Sequence, residues 1–286
     1  VRAVIYGSRE IRTIAALALG LSEHGWTFSW REDRDAYQAR QEPLQEFDLA
    51  VTDGIRGPMG VMCREAEALE VPVLIADAAF VRRDLNYFQL SINRLNWIPE
   101  FDLPGDRWDR LEVELQPRHA GDFVLVTGQK PGDAAHGLST FELREKYQDW
   151  YQELRKYTER PVLFRPHPMG LEVHPRGLQP SSGRSLPDEL AAAHALVTWN
   201  STTATDALIA GTPAFVLGPN AQVDELANSE LELIESPFFP DPSIRRALFH
   251  RIAYSQWTLD ELQDGSALEF TLAAMERQGL NRKARL

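Results

Sequence analysis

The chain has 286 residues, 43% of them hydrophobic and 25% charged, and a formal net charge of −12. That length accommodates two domains of ordinary size, and the acidity argues against a general nucleic-acid binder, whose affinity comes mainly from Lys and Arg neutralising phosphates. The one cysteine, Cys63, excludes an internal disulfide and multi-cysteine metal sites, and apolar runs such as AALALGL at 15–21 are far shorter than a membrane span.

The sequence opens on an apolar strand, Ala3 to Tyr6, with no basic segment leading a long apolar core. No secretory leader is therefore expected, and together with the cysteine usage the chain reads as cytoplasmic. The turn Gly7-Ser8-Arg9 follows, then a helix over 11–25 that stops at Gly25. WTFSW is a short strand. FDLAVTDGIRG predicts a buried strand over about 48–52 that runs out at Asp53-Gly54. GVMCREAEALE is a helix, and VPVLIAD a buried strand ending on Asp77. Near-continuous apolar strands alternating with helices imply a parallel sheet covered on both faces.

Residues 80–120 are irregular, with Arg82, Arg83, Asn93 and Arg94 interleaved among aromatics, and are expected to form ligand-facing loops of the first domain. The domain boundary is placed at QPRHAGD, giving domains 1–118 and 119–286. The second half repeats the alternation. DFVLVTGQ, PVLFRPHP, ALVTWN and TPAFVLG are strands, and FELREKYQDWYQELRKYT, SLPDELAAAH and STTATDALIAG are helices. The stretches SIRRALFHRIAYSQW, TLDELQDG and SALEFTLAAMERQG make the end of the chain helical, and a basic tail, NRKARL, follows. The expected fold class is α/β with two doubly wound, Rossmann-like halves.

In such sheets ligands sit beyond the carboxyl ends of the strands. Four groups lie there. Asn200, Ser201, Thr202 and Thr203 open a helix, with Asp206 one turn on; a helix start offers unpaired N–H groups and a positive dipole end to an anion. One cap residue would satisfy an ordinary helix, so the cluster points to a phosphate. In RPHP, Arg165 precedes His167, and the flanking prolines stiffen the loop that presents the imidazole. In TGQKPGDAAHG, Gly128 permits close backbone approach, and Gln129 and Asp133 supply polar groups. In the first half, Gly7, Ser8, Arg9, Asp53 and Asp77 each follow or end a strand. The dinucleotide fingerprint, the Walker loop, H-E-x-x-H and the nucleophile elbow are all missing from the sequence, so neither NAD nor a tightly bound metal is expected.

The segments VLVTGQKPGD, LFRPHP, ALVTWNSTTATDALIAGTPAFVLG and AYSQWTLDELQDGSA resemble, in order and spacing over about 120–267, the blocks of the capsule polysaccharide biosynthesis glycosyltransferases, the group with the Kdo transferases. The resemblance implies the GT-B architecture: two Rossmann-like domains facing across a cleft, the donor nucleotide on the C-terminal one, and closing helices that return to the first. It implies that His167, Ser201, Thr202 and Thr203 bind donor phosphates, with Gly128, Gln129, Arg165 and Asn200 beside them in the donor site. Gln129 and Asp133 would line the cleft, and Asp206 stands where many such enzymes carry Glu for the ribose. Asp133, His167, Asp53 and Asp77 are the candidate catalytic groups. LIADAAFVRRDLNYFQLSINRLN is faintly similar to a block of phage-encoded glycosyltransferase-like proteins that modify hydroxymethylated bases in DNA.

The implied reaction is sugar transfer from a UDP- or CMP-sugar to an acceptor hydroxyl, with metal dispensable. The acceptor is either an envelope saccharide or a hydroxymethylated pyrimidine in DNA. A DNA acceptor would need a local basic groove from Arg82, Arg83 and Arg94, with Gly7, Ser8, Arg9 and Asn93 also on the acceptor side. A nucleotide-sugar epimerase of the same architecture and a non-enzymatic nucleotide-sugar binder are the other readings.

Overall fold

The structure is a computed structural model that describes residues 1–32, 43–219 and 222–280. The basic tail lies outside the described residues. The chain divides into two compact units, Val1–Arg107 with His250–Leu286, and Trp108–Phe249. The division falls after Arg107 rather than at 118, because Trp108 is buried and packs its ring on Phe249 at 4.8 Å between centroids.

The first unit is built on β1 (Arg2–Tyr6), β2 (Thr27–Arg31), β3 (Leu49–Asp53), β4 (Val73–Ala78), β5 (Tyr87–Ile92) and β11 (Gln256–Thr258), in the order β11-β5-β4-β3-β1-β2. The four strands β2-β1-β3-β4 are parallel, with Tyr6 opposite Thr52 and Asp53 opposite Ala76. Alternate residues of β1 feed two cores, as the period of a strand requires. Ala3 and Ile5 join the helices Arg12–Glu23 and Ser266–Arg277, while Val4 and Tyr6 join Met59, Met62 and Ala66 of the helix Pro58–Ala68. Gly20 marks how closely the first layer packs: a β-carbon there would stand 2.3 Å from the Leu262 carbonyl oxygen.

The sheet is not wholly parallel. β5 runs antiparallel to β4, with Leu74 opposite Ile92 and Asp77 opposite Gln89, and β11 runs antiparallel to β5. The residues Gln256 and Trp257, expected in a helix, therefore form a strand after the helix Pro242–Ala253. Buried glutamines hold this edge. Gln256 accepts from Phe80 and Val81 N–H at 3.2 and 3.0 Å and donates to the Val81 carbonyl at 3.1 Å. Gln89 accepts from Ser91 Oγ and donates to the Ala78 carbonyl.

The second unit has an all-parallel sheet of β6 (Phe123–Thr127), β7 (Val162–Arg165), β8 (Gln179–Pro180), β9 (Ala193–Thr198) and β10 (Ala214–Val216), in the order β10-β9-β6-β7-β8. The helix Thr140–Tyr157 starts at a capping box of Ser139 and Glu142 and buries Leu143, Tyr147 and Leu154 against Val124, Val126, Phe164 and Val197. No helix among the described residues is long and apolar enough to cross a membrane.

Candidate functional site

The strand order of the second unit fixes where a ligand can sit. From β6 the chain moves to β7 and β8 on one side, then crosses back to β9 and β10 on the other. The order reverses between β6 and β9, and the loops leaving their carboxyl ends diverge there. Both strands end in threonine, Thr127 and Thr198, a repeated strand ending that the sequence reading did not use.

The loops after β6, β7 and β9 meet at this edge. Thr127 Oγ1 lies 3.0 Å from Thr203 Oγ1. With the Gln129 side-chain oxygen turned toward the start of the helix Thr203–Ala210, it accepts from Asn200 N–H at 3.2 Å and Ser201 N–H at 3.1 Å; the reverse orientation would set its NH2 group against two donors. Ser201 Oγ accepts from Thr203 N–H at 3.2 Å, and the Ser201 carbonyl accepts from Ala204 N–H at 3.0 Å. Asn200 is buried and donates through Nδ2 to the Pro219 carbonyl, fixing the turn after β10. Asp206 is half-buried in the first helical turn, its N–H on the Thr202 carbonyl.

His167 stands at the end of β7. Its Nδ1 accepts from Met169 N–H at 3.0 Å, so the neutral ring carries its proton on Nε2 as a donor. Burial lowers its pKa below the ordinary 6.5; the carboxylate of Asp133 opposes the shift and the ammonium of Lys130 reinforces it. Lys130 and Asp133 are thus electrostatic neighbours of His167, and Lys130 was missed in the sequence because one lysine in a glycine-bearing loop gives no pattern. Asp133 shapes its own loop: Oδ1 accepts from Ala135 N–H at 3.0 Å, and its carbonyl accepts from His136 and Gly137 N–H. Arg165 is engaged by the buried carboxylate of Glu189 at 2.7 Å and by the Arg184 carbonyl at 2.8 Å, bracing the loop 182–190.

In the first unit, Gly7, Ser8, Asp53 and Asp77 line the carboxyl edge of the parallel strands. Trp30 Nε1 donates to the Gly7 carbonyl at 2.7 Å, and Ser8 Oγ accepts from Glu10 N–H. Asp53 accepts from Thr13 Oγ1 at 3.3 Å, and Asp77 from Ala78 N–H at 2.7 Å. Arg9 is exposed, paired with Glu32 at 2.6 Å and stacked over Trp30. Arg82 contacts Asp84, and Arg83 donates to the Phe80 carbonyl.

Asn93 and Arg94 do not belong to this edge. Asn93 Oδ1 accepts from Val73 N–H at 2.9 Å, at the start of β4. Arg82 and Arg83 precede β5 and Arg94 follows it. The six residues of β5 span about 20 Å at ~3.3 Å each. The antiparallel strand thus separates the three arginines that the sequence suggested as one groove. Asn93 and Arg94 instead line a cavity of about 750 Å³ with Glu67, Glu70, Glu100 and Trp97. Among the described residues no group of three or more His, Cys, Asp or Glu side chains is arranged to hold a metal ion.

This architecture, two Rossmann-like α/β units with the strand reversal in the second, is of the GT-B type. Among solved structures, the beta Kdo 2,4 transferase of Thermosulfurimonas dismutans KpsC is similar at a TM-score of 0.55 and 12% identity, over 89% of this chain and 91% of that one. The beta Kdo 2,7 transferase of the same protein gives 0.47 and 12% identity, over 94% and 99%. UDP-GlcNAc 2-epimerase of Methanocaldococcus jannaschii gives 0.36 and 11%, over 95% and 99%. At these identities the likeness is one of fold. The fainter likeness to phage-encoded DNA-modifying proteins is not shown by these structures. No protein-family model matches the chain, and comparison with curated proteins gives no match.

Proposed function

We propose that the protein is a glycosyltransferase that moves a sugar from a nucleotide-activated donor to a saccharide hydroxyl. The observation that carries the proposal is that, at the strand reversal of the second unit, the end of β6 and its loop touch both the hydroxyl-rich helix start and the loop bearing a neutral imidazole whose Nε2–H is a donor. The Ser201, Thr202 and Thr203 hydroxyls, the positive helix end and His167 are the groups for the donor phosphate, and Lys130 adds charge beside them. Arg165 and Asn200 support the loops, Gly128 lets two of them approach, and Asp206 is the candidate for the ribose.

In the reaction the acceptor oxygen forms a bond to the anomeric carbon while the bond from that carbon to the phosphate oxygen breaks. The electron pair stays on the leaving phosphate, where the donors above stabilise its growing charge. The acceptor proton passes to a carboxylate. We assign this role to Asp133, an electrostatic neighbour of His167; Asp53 is engaged by Thr13 Oγ1 and Asp77 by the Ala78 N–H. The saccharide acceptor is favoured over DNA by the net charge of −12 and by the separation of Arg82 and Arg83 from Arg94.

The test is a turnover screen. UDP- and CMP-sugars are mixed with the protein and with oligosaccharides or hydroxymethylpyrimidine DNA, and products are read by mass spectrometry. A sugar mass gain on an oligosaccharide is the expected result. A gain on the DNA base moves the acceptor, conversion of the donor to its isomer without acceptor makes the protein an epimerase, and nucleotide binding with no turnover makes it a binding protein.

A further inference from the structure

A helix start serves an anion only through N–H groups that the protein has not already used. Here a side chain from another loop takes two of the leading amides. With its amide in the orientation that pairs both donors, the Gln129 oxygen accepts from Asn200 N–H and Ser201 N–H, at 3.2 and 3.1 Å. The Gln129 backbone N–H in turn donates to Tyr147 Oη at 2.7 Å. Tyr147 is fully buried, its ring packed on Phe164 and Trp150 at 5.1 and 5.2 Å between centroids. Gly170, in the loop after β7, is held just as closely: a β-carbon there would stand 3.0 Å from the Gln129 carbonyl oxygen. Gln129 is itself only 8% exposed. One residue therefore ties together the loops that leave β6, β7 and β9, reaching the helix start with its side chain and Gly170 and the buried tyrosine with its backbone.

We infer, on the basis of the nucleotide-sugar reading above, that Gln129 is a positioning residue and not a donor ligand. It fixes the Asn200–Ser201 backbone so that the groups beyond it face a phosphoryl oxygen. Thr203 and Ala204 N–H are taken by Ser201, which leaves the Thr202 amide outside these contacts among the described residues. Ser201 Oγ accepts from Thr203 N–H and keeps its own proton to donate. The anion is thus met by the Thr202 amide, the hydroxyls and His167 Nε2–H, in a geometry that a loose 199–202 turn would not hold. A neutral amide suits the task. Its oxygen has two lone pairs for two N–H groups, where a carboxylate would set a negative charge beside the anion and an apolar side chain would leave both donors unpaired.

The test combines exchange and binding on the full chain. In Gln129→Leu, hydrogen exchange at Asn200 and Ser201, followed by NMR without ligand, is expected to quicken about tenfold, and affinity for pyrophosphate and CMP, measured by calorimetry, to fall about tenfold. Gln129→Glu keeps both acceptors, so exchange stays slow while anion affinity falls through charge. Tyr147→Phe keeps the buried ring and frees the Gln129 amide, and is expected to give a smaller loss of affinity should Gln129→Leu fail to fold. Unchanged exchange in Gln129→Leu, or faster exchange with unchanged anion affinity, overturns the inference. Wild-type protein with slow exchange at both amides that binds neither pyrophosphate, CMP nor UDP overturns the nucleotide-sugar reading itself, and the positioning role with it.

Discussion

Gly128 lies against the backbone of His167. A β-carbon on Gly128 would stand 3.0 Å from the His167 nitrogen, 3.1 Å from Phe164 Cζ and 3.3 Å from Pro166 Cα. Two of these atoms are backbone, and the third belongs to a fully buried ring, so none can swing aside. Gly128→Ala is therefore expected to push apart the loops after β6 and β7 and to carry His167 away from the helix start. Nucleotide affinity should fall about tenfold or more, while the melting temperature drops only modestly because the misfit sits at a strand end. Calorimetry beside a thermal melt checks this, and unaltered affinity would show that the two loops need not touch.

The histidines set an acid limit on stability. His136, His167 and His194 all have pKa values lowered from 6.5, in each case chiefly by burial. The unfolded chain takes up these protons at higher pH than the native one does. Stability is therefore complete above about pH 6.5 and declines as pH falls below it. Glu235 and Glu261 are held below the usual 4.5. Glu235 owes this first to Thr158; for Glu261 burial pushes upward and is outweighed by Arg107 and Thr258. Their contribution is lost only further down, below about pH 4.5. Melts across pH 4–8 should show two stages, and His194→Gln should shrink the upper one, since His194 is tied to the Ile234 carbonyl at 2.8 Å. A flat profile down to pH 5 contradicts this account.

The same chemistry gives ligand binding the opposite sign. An anion beside His167 favours the imidazolium, so affinity for sulfate, whose charge is constant in this range, is expected to rise as pH drops from 7.5 to 6. His167→Gln should abolish the rise. Calorimetry at several pH values measures both, and a pH-independent wild type would remove His167 from the anion site.

What the sequence made legible follows from the range of the interactions. β1, β3, β4, β6 and β9 are buried on both faces, so each is written as an apolar run with turn chemistry behind it, and the strand-end clusters could be read from that alone. β5 carries the buried polar residues Gln89 and Ser91, which break the apolar run. The three residues of β11 pair with β5 across more than 160 residues of chain, with no local signal. The antiparallel turn of β5 is what divided Arg82 and Arg83 from Arg94. Likewise the motif residues Gln129 and Arg165 were visible, but their partners Asn200, Ser201 and Glu189 are set by topology.

A part-buried ion pair holds the returning segment of the first unit. Arg107 meets Glu261 with both nitrogens, at 2.6 and 3.0 Å, donates to the Ala253 and Gln256 carbonyls, and lies 4.0 Å over the Trp257 ring. Glu261 also closes the capping box with Thr258. Arg107→Met removes the cation from this part-buried carboxylate and is expected to cost about 2 kcal/mol. Glu261→Gln keeps much of the cap and should cost less. The double variant should be more stable than the sum of the singles by about 1 kcal/mol or more. Urea unfolding of the four proteins measures the coupling, and strict additivity would mean that the pair contributes only through its separate hydrogen bonds.

Arg245 poses the reverse question, because it is 1% exposed and burial lowers its pKa from the ordinary arginine range. Its Nη1 donates to the Gln116 carbonyl at 2.9 Å and the Leu208 carbonyl at 2.8 Å, and its guanidinium lies 4.5 Å over the Phe239 ring. Leu208 is in the last turn of the helix whose first turn is the proposed anion site, so the cation complements the negative end of that helix. Two effects compete in Arg245→Met. Removing a buried charge relieves desolvation, while the buried Leu208 carbonyl loses its donor at about 1–3 kcal/mol and the part-buried Gln116 carbonyl at less. The carbonyls and the helix end should prevail, giving a net loss of about 2 kcal/mol. Arg245→Lys, a compact charge that cannot span both carbonyls, should fall between the two. Urea unfolding decides the matter: a Met variant as stable as the wild type would mean that desolvation cancels the hydrogen bonds, and that the helix is held at its carboxyl end by Gly211 and its packing alone.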